Sequence, residues 1–381
     1  MRKHIYVAYT GGTIGMKPST SGFVPAAGYL SETLLNMPEF HRKEMPAFTI
    51  HEYDHLIDSS DMSPADWQLI ADDIANNYTD YDGFIILHGT DTMAYTSSAL
   101  SFMLEGLTKP VIVTGSQIPL AELRSDGQTN LLNALYIAAN YPIPEVTLFF
   151  NNKLYRGNRV RKVDADGFDA FDSPNFPALL EAGINIEVNH DVVSVFDSVT
   201  DGVIESVVGG EEGGEKRGEE GGERNGENVK QSGGNNLNAT PSNKLKISPV
   251  TPQPIGLVSL YPGISADVVK NIIQQPVNAL ILLSYGVGNA PQNKALLAQL
   301  VQAQENGVIV VNCTQCFRGT VNMTGYANGH LLQNTGLISG GDMTPEATLA
   351  KLHYLLSKPE LSTQERKRLM TRNLRGELTR R

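Results

Sequence analysis

Residues 4–16, HIYVAYTGGTIGM, join an apolar run to a glycine turn that carries two threonines. IYVAY is apolar with little alternation, as suits a strand covered on both faces of a parallel sheet. The turn Thr10-Gly11-Gly12-Thr13 is of the kind that cradles a phosphate or holds a reactive hydroxyl against a substrate. Glycines at 11, 12 and 15 miss the G-x-G-x-x-G spacing of a dinucleotide site, and no P-loop lysine follows. On this stretch alone a tight turn or phosphate loop and a nucleophilic Thr13 both stand.

The same strand signature recurs downstream. FTIHEY, GFIILH, PVIVTG and VTLFF read as short strands, and helical patterns lie between several of them. The clearest helix opens at SPADW, with Ser63 as N-cap, Pro64 at N1 and Asp66 in the first turn, and puts Trp67, Ile70 and Ile74 on one face. This predicts an α/β fold whose larger N-terminal domain is a parallel, flavodoxin-like sheet flanked by helices. IGLVSLY, ALILLSY and VIVVNC, with helices over Ala266–Gln274, Asn293–Asn306 and Pro345–Ser357, predict a smaller C-terminal α/β domain; a last polar helix is expected over Gln364–Leu374. The expected boundaries are 1–190 and 251–381. The linker 191–250 contains a Gly/Glu/Asn-rich insertion at about 205–245, too poor in apolar residues to offset the entropy of ordering.

A net charge of −11 argues against nucleic acid or an anionic membrane as the main partner, although much of the acidity sits in Glu211–Glu227. No run approaches the roughly 20 apolar residues of a membrane helix. The glycine turn follows MRK too closely to leave room for a signal peptide's apolar region, so a cytoplasmic location is expected. Two cysteines, Cys313 and Cys316, agree with a reducing compartment and cannot make a four-cysteine zinc site.

Ligands of open α/β sheets bind at the carboxyl ends of strands. Thr10–Thr13, Asp58-Ser59-Ser60-Asp61, His88-Gly89-Thr90-Asp91-Thr92 and Thr114-Gly115-Ser116-Gln117 all fall there, gathering hydroxyls with carboxylates at two of the four. The gathering suits a small polar substrate and hydroxyl chemistry. Each run has a plainer reading too: Thr90, Asp91 or Thr92 would serve as a helix N-cap, DSSD as a turn, and His88 as a satisfied structural histidine. Lys162, in RGNRVRKVD, is either a solvated charge or, beside a threonine, a group that takes up a proton.

Taken together, these stretches resemble the bacterial L-asparaginases, most closely the cytoplasmic type I enzymes. VAYTGGTIG resembles that family's first signature and GFIILHGTDTM its second, and the likeness extends over 4–190 and 250–378, including SSDMSP, TGSQIPLAELRSDG, FFNNKLYRGNR and SYGVGNAPQNK. The resemblance implies hydrolysis of L-asparagine to L-aspartate and ammonia through a threonine acyl-enzyme, with no cofactor and no metal. Thr13 would be the nucleophile on a mobile lid and Thr90 the second threonine. Lys162 would pair with Thr90 and move protons, with Asp91 close by. Asp91 would hold the substrate's α-ammonium and Ser59 its α-carboxylate, flanked by Asp58 and Ser60. Asn289 would reach the site from a neighbouring subunit, which implies an intimate homodimer and dimers of dimers. Thr314, Gln315 and Cys316 would belong to a second, regulatory asparagine site.

Two positions depart from the family pattern. Some members carry a lid tyrosine where this chain has Phe23, and a phenyl ring takes up no proton. The regulatory arginine is replaced by Leu283, which cannot grip a carboxylate. The alternatives are a mixed glutaminase-asparaginase, the amidase subunit of a tRNA-dependent amidotransferase, or a non-catalytic nucleotide-binding module. The amidotransferase reading lacks room and a basic patch for tRNA.

Overall fold

A computed structural model of the chain describes residues 2–20, 22–193, 245–323, 329 and 332–379. Five parallel strands form the heart of the larger domain: β1 (His4–Gly11), β2 (Ala47–Ile57), β3 (Gly83–Leu87), β4 (Val111–Thr114) and β5 (Val146–Phe150). Three antiparallel strands, β6 (Lys153–Arg156), β7 (Leu180–Ala182) and β8 (Ile186–Val188), extend it to the order β8-β7-β6-β5-β4-β3-β1-β2. The parallel part therefore runs 2-1-3-4-5. Its order reverses between β1 and β3, where such sheets open their binding crevice.

Alternate residues of β1 feed two cores. Tyr6 and Ala8 join α1 (Pro64–Asn77) and α2 (Met93–Met103) on one face; Ile5, Val7 and Tyr9 join α3 (Gly127–Asn140) and the short helix Tyr29–Leu35 on the other. The start of α1 is as the sequence predicts: Ser63 and Asp66 form a capping box, Pro64 is at N1, and Trp67, Ile70 and Ile74 are buried.

The smaller domain stacks β9 (Ile255–Ser259), β10 (Ala279–Ser284), β11 (Ile309–Thr314) and β12 (Ile338–Ser339) in parallel and in chain order. Helices α4 (Ala266–Ile272), α5 (Lys294–Glu305), α6 (Pro345–Leu356) and α7 (Thr363–Met370) belong to it. α6 lies on α2, with Phe102 and Tyr354 rings 5.6 Å apart, so the first core continues across the domain boundary. Lys246–Ile247 pairs with Leu104–Glu105, which ties the chain back to the larger domain where order was expected to resume. Arg159 completes the join: its guanidinium donates to Gly376 O, Asp342 and Thr379.

Some elements differ from the sequence reading. The glycine turn, left open between a phosphate loop and a tight turn, leads into a 3₁₀ turn (Thr13–Gly15) and a hairpin (Met16–Ser19 with Gly22–Pro25). The last helix ends at Met370, not Leu374, because Glu377 accepts the Leu374 and Arg375 amides and folds the tail back. There Glu377 also meets Lys351 at 2.6 Å, both fully buried. The low-complexity run expected at about 205–245 falls outside the described residues but for Leu245. Among the described residues, no helix is long and apolar enough to cross a membrane.

Candidate active site

At the β1/β3 switch point the loops meet backbone to backbone. Gly12 has φ +85°, and a Cβ there would lie 2.3 Å from Gly89 N; a Cβ on Gly89 would lie 2.4 Å from Ser59 Oγ. Glycine is required at both positions, for conformation at the first and for space at each. The loops after β1, β2 and β3 are thereby pressed together. Thr13 follows directly, half-buried, with no partner for its Oγ1 among the described residues. Its turn is tied to the loop after β4 by Leu120 N donating to Ile14 O at 2.9 Å. A phosphate loop would need a helix N-terminus here, and this turn supplies none.

Across that contact sits Thr90. Lys162 Nζ donates to Thr90 Oγ1 at 2.9 Å and pairs with Asp91 Oδ1 at 2.7 Å. Lys162 is carried by a two-residue strand, Arg161–Lys162, paired antiparallel with Phe171–Asp172. Its side chain is 20% exposed against 62% for Asp91, so the lysine is held against the loop rather than free in solvent. The Thr90 hydroxyl donates in turn to Gln117 Oε1 at 3.0 Å.

Ser59 is buried and opens a 3₁₀ turn, Ser59–Asp61, capped by Asp58, whose Oδ1 accepts from Ser60 N and Oγ at 2.9 Å. Thr92 is the N-cap position of α2, but its hydroxyl accepts no helix amide and instead donates to Ser59 O at 2.7 Å. The cap residue therefore fastens the DSSD turn to the HGTDT loop. Behind them His88 is fully enclosed, with Nδ1 on Gly89 O at 2.7 Å and Nε2 on Thr96 Oγ1 at 2.8 Å. Burial lowers its pKa to about 4, so it stays neutral and structural. The Thr10 and Thr114 hydroxyls bond to Leu87 O and Phe149 O, securing strand ends.

The cluster thus brings together Thr90, Asp91 and Lys162, with Asp58, Ser59 and Ser60 joined to them through Thr92 and Gly89. Asn289 lies elsewhere in the chain, in the turn after β10, where its backbone pairs with Tyr285. Thr314, Gln315 and Cys316 stand at the end of β11: Thr314 Oγ1 bonds to Gly286 O and receives Cys316 N, and the Gln315 amide donates to Leu260 O and Leu283 O. Leu283 sits in register between Ser259 and Cys313 and packs on the core. Phe23 is 48% exposed on the hairpin, opposite Pro18.

One residue of the cluster has no role in the sequence reading. Gln117 is visible there only as a polar strand end. Its partners Thr90, Ala165 and Gly167 come from loops 27, 48 and 50 residues away, which no local pattern announces. The arrangement as a whole holds one hydroxyl between a cation and an amide, beside a second hydroxyl and a carboxylate. It can bind a small zwitterion and attack a carbonyl.

A family model described as Asparaginase, N-terminal, matches residues 4–194, and one described as Glutaminase/Asparaginase C-terminal domain matches residues 254–370. L-asparaginase 1 of Escherichia coli strain K12 is 60% identical over 378 residues, covering 99% of this chain and 98% of that protein. The crystal structure of L-asparaginase I from Vibrio cholerae aligns over the whole of both chains with a TM-score of 0.81 and 61% identity. The thermostable L-asparaginase from Thermococcus kodakarensis gives a TM-score of 0.77 at 30% identity, covering 99% of this chain and 100% of that one.

Proposed function

The chain belongs to the asparaginase family, and from that premise we propose that it hydrolyses L-asparagine to L-aspartate and ammonia through a threonine acyl-enzyme. The observation that carries the reading is the Lys162–Thr90 hydrogen bond with Asp91 on the same ammonium.

In this mechanism Thr13 Oγ bonds to the side-chain amide carbon and the C–N bond breaks. The hydroxyl proton leaves with ammonia, and water then cleaves the ester and restores the hydroxyl. A threonine hydroxyl is a weak nucleophile and needs a positioned proton acceptor. Phe23 cannot serve, so the proton path is placed on Thr90 and Lys162: the Lys162 ammonium passes a proton through the Thr90 hydroxyl to the departing nitrogen, and the Thr13 proton replaces it. Asp91 takes the α-ammonium and the turn around Asp58, Ser59 and Ser60 the α-carboxylate. Backbone N–H groups at the apposed glycine loops face the developing oxyanion.

The proposed assembly is a homotetramer of intimate dimers in the cytoplasm, with Asn289 contributed by the neighbouring subunit. The proposed domains span 1–190 and 251–381, joined through 191–250. Ammonia release from asparagine tests the activity, and kcat/KM for asparagine against glutamine tests selectivity. One methylene changes discrimination by only about 1–3 kcal/mol in a pocket, so glutamine turnover within about 200-fold is compatible with this site. No release from either amide would overturn the reading.

A further inference from the structure

Thr90 has one hydroxyl proton and accepts a hydrogen bond from Lys162, so its proton is directed at Gln117 Oε1, 3.0 Å away. The Gln117 carboxamide cannot turn over. Its Nε2 donates to Ala165 O at 3.2 Å and Gly167 O at 3.0 Å, and a flipped amide would set an oxygen against those two carbonyls. The backbone is fixed as well: both Asp126 carboxylate oxygens accept Gln117 N at 3.0 Å, and Asp126 also takes Ile118 N and Asn130 Nδ2. The turn bearing Ala165 and Gly167 is closed by Asp164, which accepts the Asp166 and Gly167 amides at 2.9 Å. That turn is the loop of the hairpin carrying Lys162.

We infer that Gln117 is a positioning residue for Thr90: its carboxamide orients the Thr90 hydroxyl so that a lone pair, not the proton, faces Lys162. The inference rests on the asparaginase reading of Thr90. With its proton on Gln117, the Thr90 hydroxyl is set to receive a proton from Lys162 rather than to oppose it, so the amide sets the resting direction of the proton path. It also couples Thr90 to the Lys162 hairpin through a contact independent of Lys162 itself.

Steady-state kinetics on Gln117→Met and Gln117→Glu test this. Gln117→Met keeps the length and loses both hydrogen-bond functions; kcat is expected to fall about tenfold or more, with KM for asparagine within about twofold. Gln117→Glu, when protonated, offers a carbonyl to Thr90 and an O–H to the turn. When ionised, it faces two carbonyls with Asp91, Asp126 and Asp164 nearby and Lys162 as the cation on Thr90. This variant is expected to work at the acid end of the pH range and to gain a descending limb, absent from the parent, as pH rises. A Gln117→Met kcat within twofold of the parent, or a Gln117→Glu profile superimposable on the parent's, overturns the inference. If Gln117→Met does not fold, the Glu profile decides alone. A parent chain that releases no ammonia would instead sink the asparaginase reading, and this inference with it.

Discussion

Lys162 Nζ lies 2.9 Å from the hydroxyl of Thr90, a residue 72 positions earlier in the chain, and the same ammonium meets Asp91 at 2.7 Å. Asp91 is well exposed, so it remains hydrated if the lysine is removed. Thr90 is hydrogen-bonded on both sides, to Lys162 and to Gln117.

Thr13→Ala, Thr90→Ala and Lys162→Met are each expected to lower ammonia release from asparagine by about 10³-fold or more, the scale on which a nucleophile or its proton partner is lost. Unfolding midpoints should move little, because no buried charge is left unpaired. Wild-type rates in both threonine variants would refute the site assignment.

Gly12→Ala is expected to be far worse than its size suggests. The new methyl group would stand 2.3 Å from Gly89 N at φ +85°, so the loops after β1 and β3 must separate. Turnover should collapse and thermal unfolding should come several degrees earlier. Parent-like kinetics in a folded Gly12→Ala protein would show that the two loops are not in contact.

His88 makes stability depend on acid. Its pKa is lowered by burial to about 4 from an ordinary value near 6.5, so the unfolded chain takes up this proton while the folded one refuses it. Its contribution is complete above about pH 6.5 and declines by up to about 3 kcal/mol as pH falls toward 4. His88→Asn, which preserves a donor toward Gly89 O, should flatten that part of a stability-versus-pH curve. Equal slopes for the two proteins between pH 4 and 6.5 would contradict the assignment.

Rate against asparagine concentration is expected to be hyperbolic. Leu283 offers an apolar side chain where the family's regulatory site uses a guanidinium, and the Gln315 amide is already committed to Leu260 O and Leu283 O. A strongly sigmoidal curve that Thr314→Ala abolishes would show that the regulatory site survives.

Much of the frame is legible in the sequence because parallel strands covered on both faces are apolar throughout, and because Ser63-Pro64 and Asn293 announce their helices. The antiparallel strands β6–β8 are short and mixed, and the hairpin after Gly15 is largely exposed; neither leaves a periodic trace. His88 is undecidable from its neighbours, since enclosure by Thr96 and Gly89, not the local motif, makes it structural. Thr90 and Asp91 fall in a family signature, and Lys162 stands out only as a lysine in a basic stretch after VTLFF. Gln117 does not stand out, because its meaning depends on a turn 50 residues later.

The apposition of Gly12 and Gly89 places the two threonine loops by main chain against main chain, with no side chain as spacer. A single methyl group at either glycine would widen the gap between these loops. The distance between Thr13 and Thr90 is thereby gauged by two side chains that are not there.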